Sequence, residues 1–267
     1  MSTSTVISKD GTVIAYEKIG SGPAVVLVDG AFCYRNMGPC AAVAQELSDQ
    51  YTVYTYDRRG RGESGDTLPY DLQREIEDLA AVTAEAGEPV TLCTFSSGVG
   101  LVLAAVEHGL AVAKLALYEY PLITDDSRKP APPGYQDHIT ELIAADKPGK
   151  AIKYFMHAGV GLPSVLVALF PLMPGWSKMK KTAFTLTYDR YFMQDALDGR
   201  PIPDGRYDYI TVPTAIFAGS KSPKWMRHSN AALAQAIPGA HYIELPGQTH
   251  QVKARLFTPT LKKFLAA

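Results

Sequence analysis

Cysteine is scarce: Cys33, Cys40 and Cys93 are the only three in 267 residues. An odd, small number without C-x-x-C or zinc-type spacing builds neither a disulfide framework nor a structural metal site, and it suits a reducing compartment. Charge of one sign is also missing. Lys and Arg total 26 against 27 Asp and Glu, a formal net charge of −1. That balance gives no electrostatic case for binding nucleic acid or an anionic membrane. The short basic clusters at Lys178–Lys181 and Lys262–Lys263 read as solvated faces. No window approaches the roughly 18 apolar residues a membrane helix needs. The start, Met1–Gly11, is polar and lacks the apolar run of a signal peptide. The expected location is therefore cytoplasmic. Repeats and low-complexity segments are absent as well.

What is present is a substantial apolar fraction, 46 % of residues, enough for one large core or a core with an inserted segment. The first half alternates strand and helix patterns. Thr12–Glu17 reads as a strand. Ala24–Val28 (AVVLV) is a continuous apolar run, the mark of a strand buried on both faces of a parallel sheet. Ala41–Leu47 reads as a helix, Thr52–Tyr56 as a strand and Leu72–Ala86 as a helix capped by Asp71. Val90–Phe95, Ser97–His108 and Ala113–Tyr118 continue as strand, helix, strand. The rhythm then breaks. Residues 121–208 open with the proline-rich stretch Lys129–Gly134 and show helical patterns near Gln136–Ala145, Lys150–His157 and Lys178–Gln194. This segment is expected to be a helical lid inserted after the sixth strand, on a core formed by 1–120 and 209–267. Thr214–Ala218, Ser229–Ile237, Tyr242–Leu245 and a C-terminal helix resume the rhythm. Such alternation predicts an α/β fold with a mostly parallel, eight-stranded-type sheet flanked by helices.

Val90-Thr-Leu-Cys-Thr-Phe-Ser-Ser-Gly-Val-Gly100 joins a predicted strand directly to a predicted helix. A serine on so sharp a turn projects its hydroxyl above the sheet edge, and the residues two before and two after it must be small. Around Ser96 those positions hold Thr94 and Gly98; around Ser97 they would hold Phe95 and Val99. Sterics favour Ser96 as nucleophile. The competing reading is a plain strand-to-helix connection with either serine as N-cap. If acyl transfer is the chemistry, backbone N–H groups must meet the developing oxyanion. Ser97 supplies one at the helix start, and Ala31, in the loop Asp29-Gly30-Ala31-Phe32 after an apolar strand, is the candidate for the other.

Of the six histidines, only His250 lies in a loop after the last predicted strand, on the side where parallel sheets build their sites. His241 begins a strand, His108 ends a helix, and His138 and His157 fall in the lid. A histidine base needs an orienting carboxylate. The usual place is the loop after Thr214–Ala218, which reads Gly219-Ser-Lys-Ser-Pro-Lys224 and holds no acid; Ser222 stands where an aspartate is expected. Either the site is a dyad, or it is inactive, or the acid has moved. Glu119, at the end of the strand next to that of the nucleophile, fits relocation and keeps the order Ser, Glu, His. Asp125 and Asp126 are weaker candidates.

The segments Asp29-Gly30, Tyr56-Asp-Arg-Arg-Gly-Arg-Gly-Glu-Ser64, Thr94-Phe-Ser-Ser-Gly98 and Gly247-Gln-Thr-His250 resemble the α/β-hydrolase superfamily. More narrowly, Asp-Gly-Ala, Ser-Ser-Gly and Ser-Pro-x-Trp resemble uncharacterised actinobacterial-type serine hydrolases of that fold. The resemblance implies the α/β-hydrolase fold and a bracing role for Arg59–Ser64. It also implies acyl transfer to water through an acyl-serine rather than dehalogenation. In some haloalkane dehalogenases of the superfamily the acid likewise follows the strand after the nucleophile's. The departures are Asp29 for the common histidine of His-Gly, Thr94 for glycine and Ser222 for the acid. The expectation is a carboxylesterase-like hydrolase of Ser96, His250 and Glu119, with Ala31 and Ser97 as oxyanion donors. Its substrate is a partly apolar small-molecule ester or lactone. Neither metal nor cofactor is implied, and the protein is expected to be a monomer or homodimer. Carbon–carbon hydrolysis, perhydrolysis and a silent small-molecule binding protein are the alternatives.

Overall fold

The computed structural model describes residues 3–87, 89–193 and 196–267. Eight strands form one sheet: β1 (Ser4–Ile7), β2 (Val13–Ile19), β3 (Ala24–Val28), β4 (Thr52–Tyr56), β5 (Val90–Phe95), β6 (Val112–Tyr118), β7 (Thr214–Gly219) and β8 (His241–Leu245). Their order is β1-β2-β4-β3-β5-β6-β7-β8. The pairs β1–β2 and β2–β4 are antiparallel, and the remaining pairs are parallel. β5 and β7 are buried along their whole length, as their near-continuous apolar sequences demand of strands covered on both faces.

Ten α-helices accompany the described sheet: α1 (Cys40–Leu47), α2 (Leu72–Ala84), α3 (Gly98–Glu107), α4 (Tyr135–Ala144), α5 (Pro148–Tyr154), α6 (Ser164–Ala168), α7 (Trp176–Thr182), α8 (Leu186–Met193), α9 (Lys224–Ala236) and α10 (Ala254–Ala266). One core packs α2, α3 and α9 on one face of the sheet. A second packs α1 and α10 on the other. Asp71 caps α2 by accepting the Gln73 N–H at 2.7 Å. Between β6 and β7 the chain is helical, from α4 to α8, with a π-helical turn at Phe155–Gly159. A third apolar cluster ties this segment to Phe32 in the loop after β3 and to Trp225 at the start of α9.

Several sequence expectations need correction. β1 was not foreseen: Ser4–Ile7 is a short, mostly exposed edge strand, too short and too exposed to leave an apolar pattern. The lone helix expected over Lys178–Gln194 is α7 and α8 joined by a 3-10 turn at Ala183–Thr185; Gln194 lies outside the described residues. α9 starts at Lys224 rather than Ser229, directly after Pro223, whose fixed φ suits a helix entry. Among the described residues, no helix is long and apolar enough to cross a membrane.

The strand order reverses about β3, so the loops leaving the carboxyl ends of β3 and β5 diverge and open a crevice. Register brings the neighbouring strand ends level: Val28 beside Thr94, Phe95 beside Tyr118 and Tyr118 beside Phe217. The loops after β3, β5, β6, β7 and β8 therefore meet at one rim.

Candidate active site

At that rim the chain turns from β5 into α3 through Ser96, which holds φ at 55°. A non-glycine residue in the left-handed region is strained, and surrounding bonds must hold it there. Its N–H donates to the Tyr118 carbonyl at 2.9 Å, and its carbonyl accepts the Val99 N–H at 3.0 Å. A Cβ on Gly98 would lie 2.8 Å from both the Asp29 carbonyl and Thr94 Oγ1, so this position must be glycine. Thr94 is tolerated two residues before the serine because its hydroxyl donates to the Val28 carbonyl at 3.1 Å, binding the turn to β3. Ser97 is buried, and its Oγ donates to Asp189 at 2.9 Å rather than capping α3. The Ser96 hydroxyl instead faces His250 Nε2, 3.1 Å away.

His250 reaches both expected partners. Its Nε2 lies 3.1 Å from Ser96 Oγ, and its Nδ1 lies 2.8 Å from Glu119 Oε2. With the ring proton on Nδ1, that N–H donates to the carboxylate and Nε2 accepts from the serine. Glu119 is fully buried, and its second oxygen accepts the Gly219 N–H at 2.7 Å. Gly219 ends β7, the strand after which an acid was first sought; the carboxylate instead arrives from β6 and is tied to β7 by that bond. Glu119 also has positive φ, 47°, which marks a second strained turn at the rim. The histidine loop is held by Tyr118, whose hydroxyl donates to the Thr249 carbonyl at 2.7 Å. Gln248 accepts the Lys253 N–H and donates to the Lys253 carbonyl, at 3.1 and 2.8 Å.

The alternatives lie elsewhere. Asp125 pairs with His228 at 2.7 Å; the Ser127 hydroxyl and then His228 hold its carboxyl down to about 2. Asp126 is exposed. His241 opens β8, His108 caps α3 through its own backbone N–H, and His138 and His157 are exposed. Ser222 is buried, and its hydroxyl has no hydrogen-bond partner among the described residues.

The loop after β3 crosses directly above the Ser96 turn: a Cβ on Gly30 would lie 2.9 Å from Ser96 Cβ and from the Phe95 carbonyl. Arg61 Nη1 donates to the Gly30 carbonyl at 2.6 Å. That carbonyl shares a peptide plane with the Ala31 N–H, which a trans peptide turns the opposite way. Pinning the oxygen thus aims the candidate donor. Arg61 Nη2 donates to Asp189 at 2.9 Å, and Asp189 also holds the Ser97 hydroxyl. One ion pair therefore restrains both residues expected to supply oxyanion N–H groups. Asp189 of α8 escaped the sequence reading, because nothing in its neighbourhood distinguishes it from a solvated helix carboxylate.

Arg58, Arg59 and Arg61 are all buried, and each has carboxylate partners. Arg58 donates to Glu75 at 2.6 Å and Asp189 at 3.0 Å. Arg59 grips Asp78 with two bonds, at 2.6 and 2.8 Å. Burial alone would lower the Arg58 pKa, but Glu75 and Asp189 raise it well above the usual value. Asp29 has no such pairing. Burial pushes its carboxyl up to about 7, against the opposing pull of the Cys40 thiol and Arg61, and its Oδ1 has no hydrogen-bond partner among the described residues. Burial likewise pushes the Cys33 thiol up to about 12 and the Cys40 thiol well above its ordinary value, so these are not thiolate nucleophiles. Among the described residues, no group of three or more His, Cys, Asp or Glu side chains is placed to hold a metal ion.

A family model described as the alpha/beta hydrolase family matches residues 25–260. An alpha/beta hydrolase from Sphaerobacter thermophilus DSM 20745 is 46 % identical, with 98 % of this chain and 100 % of that one covered and a TM-score of 0.91. A thermophilic esterase from Thermogutta terrifontis (malate bound) shares the fold at 20 % identity, 100 % and 98 % coverage and a TM-score of 0.72. The enol-lactonase from Burkholderia xenovorans LB400 does so at 20 % identity, 99 % and 100 % coverage and a TM-score of 0.69.

Proposed function

The chain belongs to the alpha/beta hydrolase family, and from that premise we propose that it is a serine hydrolase cleaving small carboxylic esters or lactones through an acyl-Ser96 intermediate. The observation that carries this reading is the continuous line from Ser96 Oγ to His250 Nε2, 3.1 Å, and from His250 Nδ1 to Glu119 Oε2, 2.8 Å. An esterase and an enol-lactonase of the same fold are consistent with ester-type chemistry.

His250 takes the Ser96 proton as Oγ attacks the carbonyl carbon. The oxyanion that forms accepts the N–H groups of Ala31 and Ser97. Glu119 keeps the ring in the tautomer that leaves Nε2 free and stabilises the imidazolium. The intermediate collapses, the C–O bond breaks and the leaving oxygen takes the proton from His250. Water, deprotonated by the same ring, then attacks the acyl-enzyme and releases acid and free serine. Residues 121–208 act as the lid over this centre and supply the apolar walls of the substrate cavity.

The test is a fluorophosphonate, read by intact mass, followed by an ester panel. The wild type gains one adduct, and Ser96→Ala gains none. Glu119→Gln turns esters over with kcat about 10³- to 10⁴-fold lower, since the ring loses its orienting charge. A folded, accessible wild type that takes no adduct and turns over no ester overturns the proposal and favours a silent binding protein.

A further inference from the structure

Arg128 stands between β6 and α4 and stacks its guanidinium on Trp225, 4.4 Å from the ring centroid. Nη2 donates to the Gly159 carbonyl at 2.6 Å and to the Ala158 carbonyl at 3.2 Å, the last carbonyls of the π-helical turn Phe155–Gly159. Nη1 is buried and, among the described residues, has no hydrogen-bond partner. Among the described residues no carboxylate pairs with this cation; burial lowers its pKa, and Tyr135 opposes that shift. The Tyr135 hydroxyl is itself buried without a partner, on a side chain 5 % exposed. The hydroxyl packs directly on Gly159, and the guanidinium on Gly161, where a Cβ would lie 3.3 Å from Cζ. Two glycines thus make room for Arg128 Nη1 and the Tyr135 hydroxyl, which no described residue satisfies.

Leaving a buried donor unpaired costs about 1–3 kcal/mol, more for a charged group, and native structures rarely hold one without a reason. Both groups border Gly159, and one of them is a cation, which is the donor set of an anion site. Its surroundings join it to the reaction centre. Tyr135, Phe155 and Trp225 belong to the same apolar cluster as Phe32, and Phe32 meets Phe155 edge to face at 5.2 Å. Phe32 follows Ala31, the candidate oxyanion residue. Single-turn π-helices are frequent at functional sites, and this one seats both donors.

We propose that Arg128 and Tyr135 hold a carboxylate carried by the substrate, so that the enzyme acts on a half-ester or lactone of a short dicarboxylic acid. This rests on the hydrolase reading above and names the substrate class for it. One free guanidinium N–H edge and one hydroxyl supply donors to the two oxygens of a carboxylate. A phosphate would leave oxygens unmatched and a second charge unneutralised. Both donors are buried, and a bound acid removes the cost of leaving them unpaired.

The experiment compares mono-4-nitrophenyl glutarate with 4-nitrophenyl valerate. The wild type favours the half-ester in kcat/KM, and Arg128→Gln cuts that preference about 10- to 100-fold, mostly through KM, the loss expected of one charged hydrogen-bonding partner. Tyr135→Phe cuts it less. Arg128→Lys, which keeps the charge and loses the planar fork, falls between and serves if Arg128→Gln does not fold. Calorimetry on Ser96→Ala reads glutarate binding without turnover, beside inorganic phosphate. No half-ester preference in the wild type, or a preference untouched by Arg128→Gln and Arg128→Lys, overturns the proposal. So does phosphate binding more tightly than glutarate through Arg128. Glutarate binding that needs Arg128, in a protein that hydrolyses neither ester and takes no fluorophosphonate, upholds the anion site and overturns the hydrolase reading alone.

Discussion

Arginine side chains in two regions of this molecule are treated in opposite ways. Arg58, Arg59 and Arg61, on the loop after β4, meet Glu75, Asp78 and Asp189 at 2.6–3.0 Å. Arg128, beside the π-turn between β6 and β7, meets two carbonyls, an indole face and, among the described residues, no carboxylate. Where every charge is matched, the arginines act as struts: Arg61 pins the Gly30 peptide, and Asp189 pins Ser97. Where a cation is unmatched, the protein keeps a place for charge it does not itself supply. Burial of an arginine says little about its role until its counter-charges are counted.

The comparison breaks first at Asp189. Asp189→Ala leaves Arg58 and Arg61 buried side by side, and Arg58 already depresses the Arg61 pKa once burial has done so. The expected loss of stability is about 3–5 kcal/mol, the range for removing one partner of a buried pair, read by urea unfolding. A loss under 1 kcal/mol would mean that water reaches the node and that its charges are not struts.

A smaller effect comes from the unmatched acid, Asp29. Burial raises its carboxyl from an ordinary 3.8 to about 7 in the folded protein, so between those values the native state keeps a proton that the unfolded chain has released. Its contribution to stability is complete below about pH 4, declines as pH rises and is gone above about pH 7. Asp29→Asn should flatten that part of the stability profile and raise stability at pH 8 by about 1–3 kcal/mol. An unchanged profile would show that the carboxylate is solvated.

The smallest effect sharpens the contrast. Arg128→Met keeps the stem and removes the unpaired cation, trading two hydrogen bonds for relief of a buried charge. Stability should stay within about 1 kcal/mol of wild type, whereas Arg58→Met should lose several times as much by orphaning Glu75. Equal losses at the two sites would erase the distinction.

Much of the site was legible because it depends on local sterics and chain order. The small flanks at Thr94 and Gly98 single out Ser96, and a loop after the last strand singles out His250. Glu119 was readable as a carboxylate at a strand end, with Asp125 and Asp126, a few residues later, as weaker candidates. Only the pairing of β6 with β7 separates them: it brings the Gly219 N–H to one Glu119 oxygen, while Asp125 turns away to His228. Asp189 and the Arg128–Tyr135 pair were illegible. Their meaning lies in partners up to 131 residues away, or in the lack of any, and neither leaves a local pattern.

By itself the sequence determined the parallel sheet, the helical break after β6, the nucleophile turn and the histidine loop, because hydrophobic period and turn sterics act over a few residues. The tertiary structure alone decided which carboxylate lies beside His250 and which arginines meet counter-charges, because the cost of burying a charge depends on neighbours that chain order does not specify.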